Sequence, residues 1–244
     1  MKTYLHAFAM CQSMFCAIPC PWRVWDEKAR DRMLLFLPLV GLELGALWAL
    51  LAWGCAALGV PGPVRALVLT AFPYLATGYI HLDGFMDVTD AVKSCRSPER
   101  RREILKDSHV GSFAVICLAL VLLTQFALNL AGEGPVWLLA LIPGVSRCCS
   151  ALAVEALPPM STSQYAQREK NRVRIALLLG MLLVFAGLGF LAWGKYGFAL
   201  VGCLTGCGLA LRRGYRSLGG MNGDIAGYSL TMGELAAVAV WTLL

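Results

Sequence analysis

Three aspartates, Asp83, Asp87 and Asp90, stand four and then three residues apart in the stretch "IHLDGFMDVTDA" at 80–91. On an α-helix the offsets i, i+4 and i+7 fall at about 0°, 40° and −20° around the axis, so the three carboxylates share one face. Carboxylates crowded in this way repel one another unless a cation lies between them. Hard oxygen donors suit Mg²⁺, which keeps some of its waters and completes its shell with substrate phosphates. Gly84, beside the first aspartate, lets a ligand or a second helix approach the backbone closely. The plainer reading is a solvated helix start, with Asp83 as N-cap and the others as surface acids. Against it stand three poor helix formers on one face and no basic residue until Lys93. His81 falls on the opposite side of this helix, either as an interfacial hydrogen-bonding residue or as a proton acceptor.

Three further stretches carry polar groups of chemical interest. In "RSPERRREILKDSHVGSF", Ser97 as N-cap and Pro98 at the first helical position start a short helix that ends near "KDS". Arg100, Arg101 and Arg102 read as anchors at a membrane face, whereas Lys106 and Asp107 are better placed to join a site. Arg147, in "PGVSRCCS", sits inside an apolar run and must face the protein interior or a cavity. It is there either to clamp a phosphate or to pair with Glu43 or Glu155. Last, "RSLGGMNGDIAGYSL" sets glycines 219, 220, 223 and 227 around Asp224. Closely spaced glycines expose backbone N–H groups that can cradle phosphate, although a turn before a last helix has the same composition.

The elements that position these groups are membrane helices. The 244-residue chain is 58% hydrophobic and only 15% charged, against about 25% charged for a soluble domain. Apolar runs at 34–58, 64–80, 111–130, 136–157, 175–193, 197–211 and 230–244 approach or reach the roughly 17–25 residues of a span. Backbone in lipid must satisfy itself, so these are helices. The expectation is an all-α polytopic membrane bundle of about seven spans forming one domain over 1–244. The apolar segment 4–18 is expected as a retained interfacial or re-entrant helix rather than a signal peptide.

Loops 19–33, 81–110, 158–174 and 212–229 carry four, six, four and three Lys/Arg, seventeen in all, against two in 59–65, 131–135 and 194–196. This bias places the aspartates on the cytoplasmic side. It also accounts for the net charge of +6 without a nucleic-acid partner. Six of the ten cysteines lie inside apolar runs as small hydrophobes. Cys203 and Cys207, one turn apart, read as part of a small-residue packing face.

Taken in order along nearly the whole chain, these stretches resemble the cobalamin synthases, the adenosylcobinamide-GDP ribazoletransferase family. "AIPCP" is similar to that family's "RxPvP", and "FLPLVGLELGA" to its "FPlvGlllGa". "HLDGFMDVTDA" resembles "HLDGLADtxDg", and "EILKDSHVGSF" resembles "EImkDSrxGtf". "VSR" recurs in mid-chain, and "LGGMNGDIAGYSLTMGEL" resembles "lGGxtGDtlGaxxElxEl". The departures are Ala91 for glycine, His109 for arginine, Asn222 for threonine, and "YAQRE" for "YARE", where Arg168 stands in for the shifted arginine.

The resemblance implies attack of an α-ribazole hydroxyl, or that of its 5′-phosphate, on the β-phosphorus of adenosylcobinamide-GDP, with loss of GMP. It implies Mg²⁺ held by Asp83, Asp87 and Asp90, joined by Asp224. Arg147 and Lys106 would clamp phosphate oxygens, with Asp107, Ser108 and Gly223 among the substrate contacts. One aspartate or His81 would accept the hydroxyl proton. It further implies a multi-pass protein of the cytoplasmic (inner) membrane, with a homo-oligomer or a complex with other cobalamin-assembly enzymes left open.

Two other readings compete. A CDP-alcohol phosphotransferase of lipid synthesis needs DxxDGxxAR followed by GxxxDxxxD, but Asp87-x-x-Asp90 runs into Ala91 and no such motif follows. A cation-coupled transporter predicts acids at the centres of several spans, whereas here they cluster at the mouths.

Overall fold

The computed structural model describes residues 2–161, 163 and 170–244, and among these no strand forms beyond one isolated bridge between Pro159 and Met221. The protein is an all-α membrane bundle. In chain order the helices are α1 (Lys2–Phe15), α2 (Glu27–Arg30), α3 (Leu37–Ala57), α4 (Gly62–Ala76) and α5 (Ile80–Lys93). They continue as α6 (Pro98–Ile104), α7 (Ser112–Ala131), α8 (Ile142–Ala156), α9 (Arg172–Trp193), α10 (Phe198–Leu218) and α11 (Gly223–Leu243).

Among the described residues, four segments are long and apolar enough to cross a membrane: Met33–Ala57, Ser112–Ala131, Val136–Ala156 and Arg172–Leu218, the last comprising both α9 and α10. The helix termini differ from the apolar runs in an instructive way. The runs ending at 211 and starting at 230 continue as helix to Leu218 and back to Gly223, because polarity marks where lipid ends and not where hydrogen bonding ends. α4 goes the other way. It stops at Ala76, four residues before the apolar run does. Its fifteen residues rise about 22 Å, short of the ~30 Å hydrocarbon core.

Burial separates centre from periphery. α8 and α11 are buried along most of their length. α7 and α9 turn Ile116, Leu120, Leu123, Leu183 and Leu191 outward, an apolar surface too extensive for water but suited to acyl chains. Where α10 meets α11, Cys203, Cys207 and Gly233 are in close contact, the small-residue face the sequence suggested.

The basic loops collect at one end. Met160 and Met221 exchange backbone hydrogen bonds with Met221 and Pro158 at 2.9 Å. Arg101 and Arg102 donate to the Ser217 and Leu218 carbonyls at the end of α10, so these arginines act as structural anchors. Ser97 caps α6 with Pro98 at its first position, as the sequence suggests. At the other end Trp241 donates to Pro135 O, and Lys195 contacts Leu244 O. With the basic loops at the first end, reporter fusions at Ser97 are expected to report a cytoplasmic location, and fusions near Glu133 the opposite side. The reverse result would overturn the orientation.

Candidate active site

α5 and α11 approach so closely that a Cβ on Gly84 would lie 2.9 Å from both Cα and O of Asp224. One turn away Gly227 packs on the backbone of His81, where a Cβ would fall 3.0 Å from its carbonyl oxygen. Two glycines on facing helices thus create the seam that carries Asp83 and Asp87 against Asp224. Asn222, the N-cap of α11, accepts from Ile225 N at 2.9 Å and donates to the Asp224 carboxylate at 2.6 Å. It fixes that side chain at the helix start.

These groups lie beyond the four apolar segments, and their electrostatics follow from crowding. Burial, then the charges of Asp83, Asp224 and Asp90, push the Asp87 carboxyl up to about 7. Burial also raises Asp224, the hydrogen bond from Asn222 works against the rise, and Asp83 adds to it. Among the described residues no lysine or arginine forms an ion pair with any of the four. Nor do any three acids, histidines or cysteines form a ready-made metal cage there.

Asp90 has a separate duty. Its two oxygens accept from Gly111 N at 2.6 Å and Ala114 N at 2.8 Å, capping α7. A Cβ on Gly111 would fall 2.5 Å from that carboxylate, so a side chain there would push the cap aside. The bond moors the preceding "KDS" loop beside the acids. In that loop Lys106 and Ser108 are exposed. Asp107 accepts from the backbone and ring of His109, which lower its carboxyl.

Arg147 is buried and donates to Glu234 at 2.5 Å, to Pro143 O and to Ser146, and Ser146 also donates to Glu234. The expected partners were Glu43 and Glu155. Instead Glu43 accepts from Gln12 and Glu155 pairs with Arg174. Glu234 lies within the last apolar run, and a carboxylate in a span always requires a partner, so this pair was open to sequence reasoning and was missed. His81 is buried with its ring stacked on Phe15 at 6.0 Å, and Nε2 has no hydrogen-bond partner.

Between α4 and α5 the chain breaks at Thr77–Gly78–Tyr79. The break lines a cleft of about 560 Å³ that also holds Asp83 and, across from it, Ser13, Cys16 and Ala17 at the end of α1.

The profile of a family described as cobalamin-5-phosphate synthase matches residues 7–242. The chain belongs to this family. It is 36% identical over 245 residues to an adenosylcobinamide-GDP ribazoletransferase of Clostridium perfringens strain 13, covering 98% of each chain. A Desulfitobacterium hafniense protein of the same name is 37% identical over 229 residues, covering 89% of this chain and 88% of that one. One from Roseiflexus is 32% identical over 227 residues, covering 89% and 82%. No solved structure matches the chain.

In this member of the family, the residues singled out from sequence separate into three groups. Asp83, Asp87 and Asp224 gather at the α5–α11 seam, with Gly223 beginning α11 there. Lys106, Asp107 and Ser108 are held nearby through Asp90. Arg147 and His81 lie in the interior. The "YAQRE" stretch with Arg168 lies outside the described residues. The turn at Gly78–Tyr79 was not singled out, since no composition cue marks a tyrosine as left-handed.

Two outcomes follow. Glu234→Ala leaves the Arg147 guanidinium buried and unpaired, so stability in detergent should fall by about 3–5 kcal/mol, read from denaturant unfolding. Asp90→Ala removes the α7 cap and should cost about 0.5–2 kcal/mol, with hydrogen exchange rising first at residues 111–114.

Proposed function

We propose that the chain is an adenosylcobinamide-GDP ribazoletransferase acting at the cytoplasmic face of the inner membrane. The acceptor is α-ribazole or its 5′-phosphate. Its hydroxyl oxygen forms a bond to the β-phosphorus of adenosylcobinamide-GDP, the bond between that phosphorus and the bridging oxygen breaks, and GMP leaves. The hydroxyl proton passes to a carboxylate of the cluster. The names of the relatives support the substrates. The crowded, unpaired aspartates at the Gly84–Asp224 contact carry the reading.

The donor set suits Mg²⁺. All the groups are hard carboxylate oxygens, their mutual repulsion is relieved by a cation, and an incomplete protein shell leaves positions for water and diphosphate oxygens. Asp83, Asp87 and Asp224 would hold the ion, with Asp90 contributing charge from its capping position. When bound, the ion neutralises charge on the diphosphate. The protein's own part is to hold the reacting groups together. The α5–α11 seam fixes the acids, and Asp90 keeps the loop bearing Lys106 beside them, where its ammonium can reach a phosphate.

Purified protein incubated with adenosylcobinamide-GDP, α-ribazole and Mg²⁺ should release GMP and form adenosylcobalamin. Chelation should stop turnover and added Mg²⁺ restore it. Asp87→Asn should lower kcat by about 10²–10³ with thermal stability unchanged or higher, because one repelling charge is gone. Absence of GMP release would sink the reaction, and full activity after exhaustive chelation would sink the metal.

A further inference from the structure

A second cleft of about 630 Å³ runs from Ser13, Cys16 and Ala17 outward to Arg23 and Trp25. Those first three residues also line the cleft at Asp83, so the two clefts lie against one shared wall as a groove in two parts. The Ala17 N–H donates to Ala76 O at 2.8 Å, tying the floor of the groove to the end of α4. We propose that this groove binds the nucleoside part of a substrate, a heteroaromatic base on a ribose, and that Tyr79 is its positioning residue beside the acids. The inference rests on the transferase reading and adds a subsite to it.

Size selects the ligand first. Pockets for small molecules run to about 300–1,000 Å³, which suits a nucleoside, whereas a corrin ring with its amide arms exceeds either cleft. Chemistry selects it next. Tyr79 holds φ at +65° directly after Gly78 at +58°. A bulky residue in the left-handed region is an outlier that persists only where the surroundings impose it. Glycine would take this turn without a clash. The chain instead places a phenol there, 53% exposed, on the wall of the cleft that ends at Asp83. At the far end the Trp25 indole N–H donates to Glu27 at 2.7 Å, which orients a ring that is 59% exposed. Arg23 lines the groove beside it. Aromatic faces at both ends stack bases, a guanidinium meets phosphate or a base plane, and the inner end opens on the acids where the diphosphate reacts.

Both substrates carry such a nucleoside, guanosine in one and the benzimidazole riboside in the other, so the test has an arm for each. Ala17→Trp keeps the backbone bond and fills the groove. In the turnover assay it should raise the KM of one nucleoside substrate at least tenfold, leaving kcat and the other KM within about twofold. The substrate affected identifies the base. Tyr79→Gly should shift the same KM in the same direction while thermal stability holds or rises, and Tyr79→Phe should behave as wild type. Titration calorimetry of α-ribazole and of GMP should show the same loss of binding without turnover. This separates failure of the groove from failure of the transferase reading. Unchanged KM and binding in both Ala17→Trp and Tyr79→Gly would overturn the proposal. So would loss of stability in Tyr79→Gly with no change in binding, and Trp25 and Tyr79 would then be interfacial aromatics.

Discussion

The contact between Gly84 on α5 and Asp224 on α11 is the constraint on which the rest of the site depends. Helices with side chains at their contact stand about 8–10 Å apart, and a glycine at the contact lets the two backbones come closer. Removing the Cβ at 84 lets the Asp224 backbone take its place. The cost is electrostatic. Burial first, and then the like charges of Asp83, Asp224 and Asp90, push the Asp87 carboxyl up to about 7. A fold selected only for stability would place a lysine there, as it places Arg174 against Glu155.

That contrast runs through the molecule. Inside the bundle polar groups satisfy one another: Asn129 donates to Thr70, the Trp48 indole to Leu69 O, and Arg147 to Glu234. Each bond joins different helices, and each leaves a polar group costly to strand in hydrocarbon if its partner is lost. At the basic end Asp83, Asp87 and Asp224 have no lysine or arginine partner among the described residues. The deep charges therefore specify packing, whereas these three repel one another without a cation between them. This distribution also argues against a transporter, whose ionisable groups would stay unpaired along a path through the spans.

Much of this was legible in the sequence. Apolar length gave the helices, and loop charge gave the grouping of their ends, because lipid imposes both rules without reference to tertiary detail. Ser97 and Pro98 marked a helix start correctly, since a cap is a local interaction. The misses were non-local. The partner of Arg147 depends on which helices face one another, and composition cannot order Glu43, Glu155 and Glu234 by distance. The early end of α4 was hidden because Thr77, Gly78 and Ile80 suit an apolar run as well as they suit a break. Tyr79 has no sequence cue at all.

The aspartate triplet shows how a sound periodicity argument can be incomplete. Angles of 0°, 40° and −20° put Asp83, Asp87 and Asp90 on one face, but a helix also advances about 1.5 Å per residue. Asp83 and Asp90 are therefore separated by roughly 10 Å along the axis. Oxygens bound to one Mg²⁺ at about 2.1 Å lie within roughly 4 Å of each other, a gap the two could close only by leaning toward one another, and both Asp90 oxygens already accept from Gly111 N and Ala114 N. For the proposed ion a further ligand would come from another element at the level of the first two acids, and Gly84 marks that level by admitting Asp224. Asp90, one turn further out, meets the start of α7 and caps it. A face shared on a helix wheel is thus divided along the axis into a half that meets Asp224 on α11 and a half that moors the loop bearing Lys106.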